Sequence, residues 1–227
     1  MAAKPESRGS CQFCGEPFAK RSITKHFKIC SKAKAAISSA DAKQTKAIPL
    51  YHIVVQDKYA KDFWLHLEIN GSAKLQDLDF YLRAIWLECC GHLSQFSVRA
   101  YDGQSFGMSK AVKTVFADIK QLEYVYDFGT SSELIIKVVG ERSGHPLSKH
   151  PIFLMARNDM PIVSCMECDK PAHWLCKECI YEHDESGFLC DEHADSHEHD
   201  QYGEPLELVN SPRMGMCGYD GSAEAPY

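Results

Sequence analysis

Between Cys165 and His199 the chain places five cysteines and five histidines in 35 residues. A segment that short buries too little apolar surface to fold unaided, so covalent or metal cross-links must hold it. The opening MAAKPESRGS is polar and has no apolar secretory stretch. No apolar run approaches the roughly 20 residues that a membrane helix needs. A cytoplasmic protein is therefore the expectation. In that compartment thiols stay reduced, and paired cysteines point to metal rather than to disulfides. Eight of the eleven cysteines fall in two clusters that also carry histidine, which favours metal over scattered core cysteines.

The C-terminal ligands form four pairs: Cys165-x2-Cys168, Cys176-x2-Cys179, Cys190-x2-His193 and His197-x-His199. Eight ligands suit two tetrahedral zinc ions. His173 and His183 are further candidates. Sequential filling would put the first four cysteines on one ion. The order of the pairs resembles the B-box family, and that resemblance implies an alternating arrangement. Cys165, Cys168, Cys190 and His193 would then form one site, and Cys176, Cys179, His197 and His199 the other. The last pair is tighter than the family's usual spacing.

A second cluster lies near the start. Cys11-x2-Cys14 is followed, after eleven residues, by His26-x3-Cys30. His26 and Cys30 stand four apart, on one side of a helix. With the two thiols they complete the four-ligand shell of a closed zinc site. Phe18 and Ile23 are suited to its small core. The arrangement resembles the ββα zinc fingers, with Cys30 in place of the last histidine. About three zinc ions are expected in all.

Charge is distributed unevenly. Residues 1–47 carry ten Lys/Arg against three Asp/Glu, whereas residues 165–204 carry two Lys against twelve Asp/Glu. Lys20, Arg21, Lys25 and Lys28 surround the expected finger helix, and such an arm suits DNA or RNA phosphates. The acidic end argues against nucleic acid there and suits a protein partner.

Between the clusters the pattern is that of an ordinary core. Tyr51–Val55 reads as a strand, and Phe63, Leu65, Leu67 and Ile69 alternate as in a half-buried one. Leu78, Leu82, Ile85, Trp86 and Cys89 recur with helical spacing over residues 76–90. Further strands are expected at Phe96–Tyr101, Glu123–Phe128 and Glu133–Val139. The order β-β-α-β-β-β predicts an α+β class: a central antiparallel sheet with one main helix, flanked by two zinc modules. The expected divisions are 1–47 (basic finger and linker), 48–160 (α+β domain) and 161–227 (zinc module and tail). The tail from Asn210 is poor in apolar residues and is expected to drape over the core or to be disordered.

The stretches DLDFYLRAIWLECCGHLSQFSV (77–98), LEYVYDFGTSSELIIKVVG (122–140) and NSPRMGMCGYDG (210–221) together resemble the plasmid open-reading-frame-three-like family, first named from a root-inducing plasmid of soil bacteria. Its Tyr-x-Tyr-Asp-Phe-Gly hairpin reads here Tyr124 to Gly129, although Thr130-Ser131-Ser132 departs from the family's continuation. The resemblance covers about residues 50–145 and implies an α+β fold and a bacterial or archaeal origin, but no settled activity.

Other motifs lead to no reaction. Asp127-Phe128-Gly129 matches the kinase tripeptide, yet no glycine-rich loop or catalytic loop accompanies it. His66-Leu67-Glu68 lacks the Pro-Cys-x-x-Cys of zinc deaminases and reads as a strand's polar face. Cys89-Cys90-Gly91-His92 reads as buried structural cysteine. Closed four-ligand shells leave no position for substrate. The expectation is a non-enzymatic zinc-stabilised adaptor that contacts nucleic acid through the N-terminal arm. A protein-binding module using the acidic cluster is the alternative, and an enzyme of unassigned reaction the third.

Overall fold

The computed structural model describes residues 6–42, 46–198 and 201–227. The chain begins with β1 (Arg8–Cys11), β2 (Pro17–Ala19), α1 (Lys20–Ile29) and α2 (Ser31–Asp41). The centre follows as β3 (Ile48–Asp57), β4 (Trp64–Asn70), α3 (Leu75–Leu82), β5 (Ser94–Ser97), β6 (Ser105–Phe106), α4 (Val112–Phe116), β7 (Gln121–Tyr126), β8 (Ser132–Gly144) and β9 (Ile152–Asn158). The C-terminal part holds β10 (Trp174–Leu175), α5 (Lys177–Glu182), β11 (Phe188–Leu189), α6 (Asp191–Asp195) and β12 (Leu206–Glu207). The molecule is mixed α and β, built on a large antiparallel sheet.

That sheet has nine strands in the order β2-β1-β9-β4-β3-β8-β7-β5-β6. The pairing of β3 with β4 sets Tyr51 opposite Ile69 and Val55 opposite Leu65, so their apolar residues share one face. On that face lie Leu65, Leu67, Ile69, Ile53, Val55 and Ile136, covered by Leu78, Leu82, Ile85 and Trp86 of the helical segment. The helix ends earlier than residue 90: α3 passes into a π-helical turn at Arg83–Leu87, and Glu88 is extended. Cys89 therefore lies past the helix and is only partly buried, packed at the margin of that core.

The opposite face of β4 is buried as well. Trp64, His66 and Glu68 point away from the main core yet are 0%, 1% and 6% exposed. Arg142 pairs with Glu68 at 2.8 Å, and the N-terminal finger covers Trp64 and His66. Its Ile23, Phe27, Cys30 and Ala33 pack with Trp64, Met155 and Ala156 in a second core. His66 is thus not on a solvated face. It lies 2.8 Å from His52 across the ladder, with the Phe27 ring beside both.

The finger also shares the sheet. Strand β1 pairs with β9, Ser10 opposite Arg157. Gly9 is required at this approach, because a Cβ there would meet the Arg157 carbonyl and the Trp64 ring. The cause is β9, a strand absent from the expected order, which fills the place between β4 and β1.

The tail drapes over the core. Ser211, Arg213, Tyr219 and Ala223 are buried, and Ser211 Oγ donates to the Trp86 carbonyl at 2.6 Å. Among the described residues, no helix is long and apolar enough to cross a membrane.

Candidate metal centres and basic helix face

None of the eleven cysteines forms a disulfide. Among the described residues, ligand atoms converge in four groups, each within 4.8 Å internally. A zinc ion with Zn–S of about 2.3 Å and Zn–N of about 2.0–2.1 Å sets tetrahedral edges of about 3.8 Å between sulfurs and about 3.5 Å between sulfur and nitrogen.

The first group is Cys11, Cys14, His26 and Cys30. Strand β1 ends at Cys11, and a tight turn returns the chain, with Gly15 at φ 79° and its N–H on the Cys11 carbonyl at 2.7 Å. His26 is carried on α1, stacked on Phe18 at 3.8 Å between ring centroids. Its Nε2 lies 3.4 Å from Cys14 Sγ. The group is largely enclosed, with Cys11 fully buried. Burial, with the Cys14 thiol adjacent, pushes the Cys11 thiol up to about 11. Cys30 is also raised by burial, but N–H groups at Ala33 and Lys32 and the neighbouring thiols outweigh this and lower it. Three thiolates gathered here repel one another, and a divalent cation held between them and the neutral His26 ring removes the conflict.

The C-terminal ligands alternate. Cys165, Cys168, Cys190 and His193 form one group. His193 Nδ1 lies 3.3, 3.5 and 3.4 Å from the sulfurs of Cys165, Cys168 and Cys190, and the Cys168–Cys190 edge is 3.9 Å. Burial raises the Cys165 thiol, but backbone N–H groups at Cys190 and Glu167 and the His193 ring bring it down to about 6. The other group is Cys176, Cys179 and His197, with Cys179 Sγ 3.3 Å from His197 Nε2. Cys176 caps α5, accepting the Cys179 N–H at 3.5 Å. His199 lies outside the described residues.

Sequential filling is excluded geometrically, since Cys165 and Cys168 gather with Cys190 and not with Cys176 and Cys179. The reason is the three-stranded sheet β11-β10-β12, which folds the segment back so that α6 returns to the first cysteine pair. Of the further histidines, His173 faces Asp191 at 3.1 Å, and His183 ends α5. Among the described residues, neither joins a ligand group.

The fourth group is Cys89, Cys90, His92 and Cys217. The expected reading of buried structural cysteine holds only in part, since Cys89 packs partly buried against the main core but Cys90 is exposed. The π-helical turn and the draped tail bring together residues that sequence spacing keeps apart. The CCGH run beside a lone late cysteine was the only signal.

The four basic residues separate into two kinds. On α1, at 100° per residue, Arg21, Lys25 and Lys28 lie opposite Ile23 and Phe27 and are exposed. Lys20 lies close to the inward face. Its Nζ donates to Gln56 Oε1 at 2.6 Å and to the Lys61 carbonyl at 2.5 Å. Burial brings its ammonium down to about 8.

No protein-family model matches the chain, and neither does any curated protein. Among solved structures, the chain is similar to a protein of unknown function from Methanosarcina mazei Go1, at 18% identity and a TM-score of 0.39. The match covers 47% of this chain and 67% of that one.

Proposed function

We propose that the chain is a zinc-stabilised, non-enzymatic binding protein that takes nucleic acid on the outer face of its N-terminal finger. The observation that carries the metal part is the set of ligand edges. They lie at 3.3–3.5 Å between sulfur and nitrogen in the finger and in the C-terminal module, close to those of a tetrahedral zinc shell. The finger ion would fix α1, and the two C-terminal ions would replace the core that residues 165–199 lack. His199 would complete the Cys176, Cys179 and His197 set.

The nucleic-acid part is supported by Arg21, Lys25 and Lys28, which form one exposed stripe on α1 away from the protein core. A row of cations on one helix face fits a phosphate backbone, and its contacts release condensed counterions. The acidic C-terminal segment would keep a polyanion at the arm. Likeness to the plasmid open-reading-frame-three-like family fits this reading without adding an activity.

Two measurements test it. Metal analysis of purified protein should return zinc at no fewer than three ions per chain, and one ion or none would overturn the metal part. Binding of a random-sequence DNA duplex and an RNA of equal length should fall steeply with salt. Arg21, Lys25 and Lys28 changed together to Ala should lose most of it. Equal binding by parent and triple variant would remove the arm as the contact. No binding at low salt by the parent would leave the protein-partner reading in place.

A further inference from the structure

We propose that Cys89, Cys90, His92 and Cys217 form a fourth zinc site, which fastens the C-terminal tail to the core. It lies outside the three sites proposed above and joins residues far apart in the chain.

Three of its edges match a tetrahedral shell, and a fourth, from Cys90 to His92, is shorter. Cys90 Sγ lies 3.7 Å from Cys89 Sγ and 3.8 Å from Cys217 Sγ. His92 Nε2 lies 3.0 Å from Cys90 Sγ and 3.4 Å from Cys217 Sγ. Zinc sets about 3.8 Å and about 3.5 Å for these two kinds of edge. The three sulfurs make the set soft, which favours zinc over magnesium or calcium.

The backbone is shaped to deliver these ligands. Gly91, between Cys90 and His92, stands at φ 81°, and Cys217 is itself in the left-handed region at φ 51°. That conformation is uncommon for a cysteine and costs free energy, so an interaction of Cys217 must offset it. Cys217 is exposed, and apolar burial does not supply that interaction.

The surroundings suit an anionic complex. Three thiolates and a neutral imidazole on a divalent ion carry a net charge of about −1. The wholly buried guanidinium of Arg213 lies 3.5 Å from Cys89 Sγ, and the Tyr126 hydroxyl lies 3.7 Å from the same sulfur. Such outer groups orient and neutralise metal thiolates. Asp127 Oδ2, 3.4 Å from His92 Nε2, is held by Arg213 at 2.7 Å and flanks the site.

The site would act as a clasp. Ligands 89, 90 and 92 follow the π-helical turn, whereas Cys217 belongs to the tail, so the ion would hold the tail over the turn at Asp127. The test compares the full chain with Cys217→Ser and Cys217→His, each loaded with zinc under reducing conditions. Zinc per chain and amide exchange of residues 210–221 are measured. The parent should hold one ion more than Cys217→Ser, and the serine variant should exchange faster in the tail alone. Cys217→His, which keeps a ligand, should restore both ion and protection. Equal zinc in parent and serine variant overturns the proposal while leaving the other three sites standing. So does a parent mass two hydrogens light, which would mark a Cys90–Cys217 disulfide. Absence of zinc throughout would overturn the reading under Proposed function as well.

Discussion

Arg213 donates from Nη2 to Asp127 Oδ2 at 2.7 Å, and the arginine side chain is wholly buried. Arg213 also donates from Nη1 to the Thr130 carbonyl and to Ser132 Oγ, so one tail residue holds the turn between β7 and β8. Burial raises the Asp127 carboxyl, but Arg213 and the Gly129 N–H outweigh it and hold it below the usual range. Removing one partner of a buried pair leaves the other charge unmatched. Arg213→Met should therefore cost about 3–5 kcal/mol in chemical unfolding. A loss under about 1 kcal/mol would show that the pair is not an anchor.

The β1–β9 contact gives a second prediction. Gly9→Val places a side chain against the Arg157 carbonyl and the Trp64 ring. Overpacking of this kind costs about 1–3 kcal/mol. The finger should keep its ion and separate from the sheet, exposing Trp64. A red-shifted tryptophan emission at unchanged zinc content is the expected result. Unchanged emission would mean that the sheet edge accommodates the side chain.

For the C-terminal module, Cys176→Ser should release residues 165–198 to proteolysis while residues 50–145 stay resistant. Metal, rather than apolar burial, would hold that segment, whose hydrophobic cluster among the described residues is small, with Cys176, Cys179 and Leu189 as its buried members. Unchanged resistance around residue 180 would contradict the argument.

The His52–His66 pair sets a pH dependence. Burial brings His52 down to about 4, with Lys28 adding to it, and brings His66 down to about 3, with His52 adding. Both are neutral in the fold, whereas the unfolded chain protonates them near 6.5. The unfolded state then binds more protons, so stability is full above pH 6.5 and falls as pH drops toward 4. The slope is about 1 kcal/mol per pH unit for each ring. His52→Gln with His66→Gln should flatten the profile between pH 7 and 5.5 in excess zinc. An unaltered slope would place the acid sensitivity at the metal ligands instead.

Much of the centre was legible because its signals are local. Alternation located β4 within a residue, and helical spacing found the buried set Leu78, Leu82, Ile85 and Trp86. The alternation of the C-terminal pairs, by contrast, rested on resemblance, since spacing alone permitted sequential filling. What stayed hidden depends on long-range packing. His66 reads as a solvated strand residue until the finger is placed over it. Lys20 differs from Lys25 only by its angle on α1, which matters once Ile23 and Phe27 fix the inward face. Helical spacing carries Cys89 on one continuing helix, and the π-helical turn that ends the helix before it has no composition signal. His199 lies outside the described residues, so its pairing with His197 stands as read from the sequence.

The β1–β9 ladder also has an order in time. Ser10 leaves the ribosome early, but its partner Arg157 is made only after the whole central region. An ion could close the finger around Cys11, Cys14, His26 and Cys30 well before that. Its Phe27 and the unpaired edge of β1 would then wait exposed for β9, and such edges recruit wrong strands. Early metal capture would at least keep the rest of the nascent arm folded during that interval, so zinc starvation should harm newly made chains far more than finished ones.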